Sequence, residues 1–288
     1  MQMFFQAAIS GILMGGVYAL IGIGLTMIFG VMQVINFAHG DLVMVGMYAT
    51  WLLFSHWHID PFLSILLTGP LLFLLGAVMQ RGFIQRVLGA AEENQILLTI
   101  GLGLLLSNTA MLLFTSDYQL LTTSYSSSSF SVLGVSMSVP LVFAFMVTTI
   151  VAFGLYVFLM KTDTGAAIRA TAQDREAAQL MGINVTRMSV LAFGIGAALA
   201  GIAGALIAPT YYIFPHVGHA FTLKSFVIVV LGGMGSVVGA TIGGVLIGVV
   251  ESLAALYLAS GLKEAVVFGL FLLLLLFRPQ GLLGRART

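Results

Sequence analysis

Long apolar runs separated by short polar stretches set the pattern of the chain. The clear runs are 6–30, 42–55, 61–80, 95–115, 139–160, 188–210 and 262–278. A helix rises about 1.5 Å per residue, so about 20 apolar residues cross roughly 30 Å of hydrocarbon. The pattern predicts an all-α polytopic membrane protein. It has about seven full transmembrane helices, a re-entrant half-helix and one short charged helix outside the inner face. A barrel would show short alternating strands instead.

Two interruptions need a physical account. The run Leu42–Phe54 rises only about 20 Å, too little to span, whereas 4–34 is longer than one crossing needs. A helix that breaks between Gly30 and Gly40 fits both facts. It places Asn36, His39 and Asp41 of "NFAHGD" at depth, where polar groups are costly and usually functional. The plainer reading is an interfacial cap, with Asp41 capping the second helix. Both readings stay open from the residues alone.

The second interruption is "GGMGS", Gly232–Ser236. Eleven residues, 221–231, rise only about 16 Å, half a bilayer. Entry from outside, a turn at Gly232, Gly233, Gly235 and Ser236, and exit as 236–258 would make 221–236 re-entrant. A tight helical hairpin is the alternative. A re-entrant turn must be buried in protein or face a water-filled path. Paired interruptions in two halves of a transport protein point to a translocation path, which makes these residues path candidates together with Asn36, His39 and Asp41.

Basic residues favour cytoplasmic loops. Arg81, Arg86, Lys161, Arg169, Arg175, Arg187 and the arginines at 278, 285 and 287 then lie inside, and Lys224 and Lys263 outside. The N-terminus is expected on the periplasmic side and the C-terminus in the cytoplasm. The start lacks a basic n-region and is read as a retained first helix. Residues 1–288 read as one membrane domain.

Composition sharpens this picture. Asp, Glu, Lys and Arg make up 7% of 288 residues and hydrophobic residues 60%, against about a quarter charged in soluble domains. Net charge +1 and the lack of a basic stripe argue against nucleic acid, and with no Cys there is no disulfide frame or thiolate metal site. No acidic partners cluster around the pairs His56–His58 and His216–His219 in sequence, so no metal site is expected. None of Lys161, Lys224 and Lys263 follows a glycine as a phosphate-binding loop requires. The chain therefore reads as non-catalytic, with no cofactor of its own. The Ser-rich stretch 124–130 reads as a flexible outer loop, and Glu251 as partnered or near the outer boundary.

The glycines read as packing sites. Gly235, Gly239 and Gly243 recur at i, i+4, i+8, Gly244 and Gly248 form an adjacent pair, and Gly11–Gly15 and Gly196, Gly201 and Gly204 mark other helices. Small residues let helix backbones approach in lipid.

A third of the charged residues gather between 161 and 187. Asp163 and Thr164 are expected to cap one short helix and Asp174 another. In the second, Ala177, Leu180 and Met181 give a narrow apolar face, and Gly182 is a left-handed stop. Lipid surface or a groove in a cytoplasmic partner would receive that face.

The spacing Glu176-Ala177-Ala178, then Gly182, resembles the EAA–G loop of ABC importer permeases. Together with "INFAHGDLVMVGMYA", "LAGIAGAL" and "VLGGMGSVVGATIGG", nearly the whole chain resembles LivH-type permease subunits of branched-chain amino acid ABC importers. The resemblance implies that Asp174, Arg175, Glu176, Ala177, Ala178 and Gly182 form an ATPase-coupling element. It assigns Asn36, Ala38, His39, Gly40 and Asp41 to one family motif and Gly232–Ser236 to another. It also implies a second homologous permease subunit, two ATPase subunits carrying ATP and Mg, a periplasmic solute-binding protein and a bacterial inner-membrane location. Outer loops 56–60, 116–138 and 211–222 would meet the binding protein. Alternating access at the interface between the two permeases would move the solute. Related permeases for urea, amides or small organic acids, an ion-coupled transporter and a purely structural subunit are the alternatives.

Overall fold

The computed structural model describes residues 1–132, 134–258, 260–278 and 280–283. Twelve α-helices occur among them, with one small hairpin. They are α1 (Gln2–Met32), α2 (His39–Trp57), α3 (Pro61–Met79), α4 (Gln85–Val87), α5 (Glu92–Phe114), α6 (Val139–Lys161), α7 (Asp163–Gln173), α8 (Arg175–Leu180), α9 (Val185–Ile207), α10 (Val217–Gly232), α11 (Val237–Tyr257) and α12 (Lys263–Phe277). A π turn at Gln80–Ile84 joins α3 to α4, so Arg81 and Arg86 sit on the end of one continuous helical rod rather than in a loop. Strands β1 (Ser129–Val132) and β2 (Val135–Ser138) pair antiparallel.

Six helices are long and apolar enough to cross a membrane: Gln2–Met32, Pro61–Val87, Glu92–Phe114, Val139–Lys161, Val185–Ile207 and Val237–Tyr257. The protein is an all-α, multi-pass membrane protein. Two expected spans fall outside this set for different reasons. The 19-residue α2 carries His39, Asp41, Thr50 and His56, which lower its apolar content. The 15-residue α12 rises only about 22 Å. Arg285 and Arg287, on which the tail's orientation partly depends, lie outside the described residues.

The apolar runs look alike in sequence, yet they occupy two layers. In α1 and α9, 78% and 72% of the apolar window is buried, against 17% in α6 and 28% in α5. A helix that is apolar all round belongs in a core or in lipid; α1 and α9 form the core, and α5 and α6 lie on the outside of this chain. α1 packs along α11, α9, α6 and α10, and α9 packs along α3, α1 and α2.

Close backbone approach makes the central pairing possible. A Cβ on Gly248 would come within 2.4 Å of Gly15 Cα, and one on Gly244 within 2.3 Å of Ala19 Cα. Gly239 and Gly243 face the other way, onto Gly232 and Ile228 of α10. One helix thus presents two small-residue stripes to two neighbours. Gly235 does not belong to that series: it lies in the turn before α11, with φ +89°.

Outside the helices, Gln2 and Gln6 of α1 bond to the hairpin backbone at Gly134 and Ser136. The Ser-rich stretch is therefore partly ordered, its end forming β1. Gln119 and Ile213 exchange backbone bonds, and the Tyr125 hydroxyl donates to Asp60 Oδ2 at 2.7 Å. Loops 56–60, 116–138 and 211–216 are joined into one platform. Residues 217–222, read as loop from sequence, are the first turns of α10.

Candidate functional site

The first break arises where α1 ends. Gln33 adopts a left-handed conformation, φ 55°, and its N–H donates back to Phe29 O at 2.7 Å. Residues 33–38 then run without regular helix, and α2 restarts at His39 beside the middle of α1. Non-helical backbone needs partners in a membrane protein. Thr99 donates to Ile35 O and Thr222 to Phe37 O, both at 3.2 Å, while Asn36 Oδ1 accepts the Ala38 N–H at 3.1 Å. The break is stitched to α5 and α10 by hydroxyls.

Asn36, His39 and Asp41 are 1%, 0% and 1% exposed. They belong to the protein interior, just after the non-helical stretch 33–38. Ala38 occupies the N-cap of α2, with no side-chain cap. Asp41 instead accepts from Ser107 Oγ at 2.9 Å. His39 Nε2 lies 3.0 Å from Ile21 O. A carbonyl only accepts, so Nε2 carries the proton. Nδ1 then offers a lone pair, and neither it nor Asn36 Nδ2 has a partner among the described residues.

Gly40 seats this turn against α10. Its N–H donates to Thr222 Oγ1 at 3.0 Å, and an added Cβ would lie 2.0 Å from Gly218 O. A half-open cleft of about 210 Å³ lies alongside, lined by Asp41, Phe37, Gly103, His219 and Thr222 among others. His219 thus has an acidic neighbour in space that its sequence surroundings do not show.

The second break is the turn between α10 and α11. Gly233 (φ +99°) and Gly235 (φ +89°) take backbone conformations that L side chains rarely adopt. Ser236 caps α11, its Oγ accepting the Gly239 N–H at 3.0 Å. The free carbonyls of Leu231 and Gly232 accept from Leu282 and Leu283 of the tail at 2.8 and 3.2 Å. A Cβ on Gly30 would lie 3.6 Å from Gly235 Cα, which sets the turn beside the end of α1. The two sets of candidates do not meet at one point. Asn36–Asp41 packs on the early turns of α10, and Gly232 lies ten residues, about 15 Å, further along that helix.

At the end of the bundle, Thr162, not Asp163 or Thr164, caps α7, accepting the Gly165 N–H at 3.0 Å. Asp174 caps α8 through the Glu176 and Ala177 N–H groups, both at 2.9 Å. Gly182 follows with φ +83°. α7 packs on α1, α6 and α9, whereas α8 packs mainly on α7 and α9. Ala178 is buried, and Leu180 and Met181 are 88% and 82% exposed. Arg175, Glu176 and Ala177 stand around the same short helix, which leaves an apolar tip uncovered by this chain.

The family described as "Branched-chain amino acid transport system / permease component" matches residues 7–276. The chain belongs to this permease family. It is similar to the high-affinity branched-chain amino acid transport system permease protein BraD of Pseudomonas aeruginosa, 35% identical over 98% of this chain and 96% of that protein. It is also similar to the corresponding LivH protein of Escherichia coli K12, 34% identical over 98% of this chain and 96% of the relative. The LivM permease protein of Salmonella typhimurium is 29% identical, over 94% of this chain and 68% of its own. No solved structure matches.

Glu251, read from the sequence as partnered or near the outer boundary, is partnered, by two bases that the sequence reading did not name. Lys224 and Lys263, read as outside charges, both reach Glu251, at 2.8 and 3.4 Å. Lys224 also donates to Tyr18 Oη at 3.0 Å. Lys224 and Glu251 stand 27 residues apart on two helices, so no local spacing reveals them. An apolar helix with one lone acid, facing another with one lone base, was the available signal.

Proposed function

We propose that this chain is the transmembrane permease subunit of an ABC importer that moves branched-chain amino acids across the bacterial inner membrane. The observation that carries this reading is the similarity along nearly the whole chain to BraD and LivH, whose names state that transport system. ATP and Mg would be bound by two separate ATPase subunits, and a homologous permease would complete the pathway; the additional likeness to LivM favours such a sister subunit. A periplasmic binding protein would deliver solute to the platform made by loops 56–60, 116–138 and 211–216.

Residues 161–187 serve as the coupling loop. Asp174, Arg175, Glu176, Ala177, Ala178 and Gly182 shape α8, and the exposed Leu180 and Met181 enter a groove of the ATPase. α7, packed on α1, α6 and α9, carries movement of that helix to the core. The N-terminus lies in the periplasm and the C-terminus in the cytoplasm. Within this single domain the 221–236 segment enters and α11 returns to the same side. The 16 residues of α10 rise about 24 Å, short of a full crossing, which favours a re-entrant path. The breaks at Asn36, His39 and Asp41 and at Gly232, Gly233, Gly235 and Ser236 are where the pathway changes shape.

Reconstitution tests this. The chain co-expressed with its sister permease and ATPases in proteoliposomes should import leucine only with ATP and the binding protein. Uptake that ignores ATP and follows an ion gradient would overturn the reading.

A further inference from the structure

The cleft beside the first break holds a carboxylate whose chemistry is only half used. Ser107 donates to Asp41 Oδ1 at 2.9 Å, and among the described residues no group donates to Oδ2. Asp41 is 1% exposed and lines the cleft. A buried carboxylate without a cation is costly; no Lys or Arg lines this space, and the basic groups that face it are His219, on the cleft wall, and His216 stacked on it. Lys224 on α10 is held by Glu251. Asp41 does stand in the first turn of α2, where the helix dipole favours negative charge.

Glycine backbone packs closely against both oxygens of the carboxylate. A Cβ on Gly103 would lie 2.6 Å from Oδ2, and one on Gly218 would lie 2.6 Å from Oδ1. Any side chain at either position would press on the carboxylate. The remaining wall is apolar: Phe37, with Ile100 and Leu104 of α5. At about 210 Å³ the cleft is smaller than the roughly 300–1,000 Å³ of drug-sized sites, and it opens on one side. That volume suits a small cationic head with a short aliphatic body.

From the cleft, and from the carboxylate on its wall that accepts from Ser107 alone among the described side chains, we infer that Asp41 is the subsite for the primary ammonium group of a zwitterionic solute. The aliphatic part lies along Phe37, Ile100 and Leu104. This rests on the transport reading above and names the group that the pathway recognises. Thr222 and His219 complete the polar rim, and release follows when movement of α10 against α2 withdraws that rim. Held by a single carboxylate, the solute is bound weakly enough to leave, as conduction requires.

The test is chemical protection on the whole purified complex in lipid. A hydrophobic carbodiimide is applied, and labelling of Asp41 is followed by peptide mass spectrometry. Leucine and leucinol, which both carry the ammonium, should slow labelling by roughly tenfold. 4-Methylpentanoate, which lacks it, should not. Gly103→Ala keeps the carboxylate but crowds Oδ2, and should abolish protection while the complex still assembles. No labelling of Asp41, equal protection by 4-methylpentanoate, or protection by sodium ions alone would each overturn the inference. Leucine uptake is scored separately: protection without ATP-driven uptake would sink the transport reading and leave the ammonium site standing.

Discussion

Lys224 of α10 places its ammonium nitrogen 2.8 and 2.9 Å from the two carboxylate oxygens of Glu251 on α11. With Tyr18 of α1 on the same nitrogen and Lys263 of α12 on Glu251, four helices share one ionic cluster. The side chains of Lys224 and Glu251 are 11% and 9% exposed, so neither charge can fall back on water.

Removing one partner should therefore be worse than removing both. Glu251→Gln alone is expected to cost about 3–5 kcal/mol, because Lys224 is left buried without a counter-charge, and Lys224→Met less, because Lys263 still reaches Glu251. The double variant should recover much of the lost thermal stability in detergent. If the singles unfold at the wild-type temperature, the pair contributes nothing.

Gly40 offers a steric prediction. Gly40→Ala would set a methyl 2.0 Å from Gly218 O and 2.3 Å from the Thr222 nitrogen. Both obstacles are backbone and cannot turn aside. Overpacking of this kind costs about 1–3 kcal/mol or more, and it would force α2 from α10. Gly101→Ala on α5, where a Cβ meets nothing within 4 Å, is the matched control. Equal yields of folded protein from the two variants would refute the close approach.

Leu180 and Met181 make no stabilising core of their own. Leu180→Glu should leave thermal stability unchanged. It should weaken retention of the ATPase subunits by about 2 kcal/mol, roughly thirtyfold in affinity, as loss of a central interface anchor does. Asp174→Ala is expected to act through the helix itself, at about 1 kcal/mol for a lost cap. Quantitative co-purification separates the two, and full retention with Leu180→Glu would exclude this face from the interface.

Tyr125 gives a pH-dependent signal outside the membrane. Burial, and then its hydrogen bond to Asp60, push its phenol above the usual range. The folded state thus holds this proton more tightly than the unfolded state. The stabilisation is present below about pH 10, the unfolded value, and is lost as pH rises beyond it. Ultraviolet titration of the protein compared with its Tyr125→Phe variant should show this phenol ionising late, and Asp60→Asn should bring it down. A titration unchanged by that substitution would break the link between these loops.

What the sequence settled was local. Continuous apolar runs dictated helices in lipid, because only a helix satisfies its backbone within one segment. The surplus length before Asn36 and the short run after Asp41 dictated a break. Asp174 and Gly182 dictated where α8 starts and stops, since capping acts within a few residues. Thr162 took the cap expected of Asp163 and Thr164 because all three positions offer an oxygen and only the chain's turn chooses among them.

What only the tertiary structure decided was which of these features meet. α1 and α6 have similar apolar sequences, yet one is core and the other is largely uncovered by this chain, because hydropathy does not distinguish protein from hydrocarbon. Gly235 fits a helical series by spacing but belongs to a turn. Thr222 comes to Gly40 across 182 residues and Lys224 to Glu251 across 27. Contacts of that kind are set by how whole helices cross, and helix crossing is a property of packed surfaces that no single segment contains.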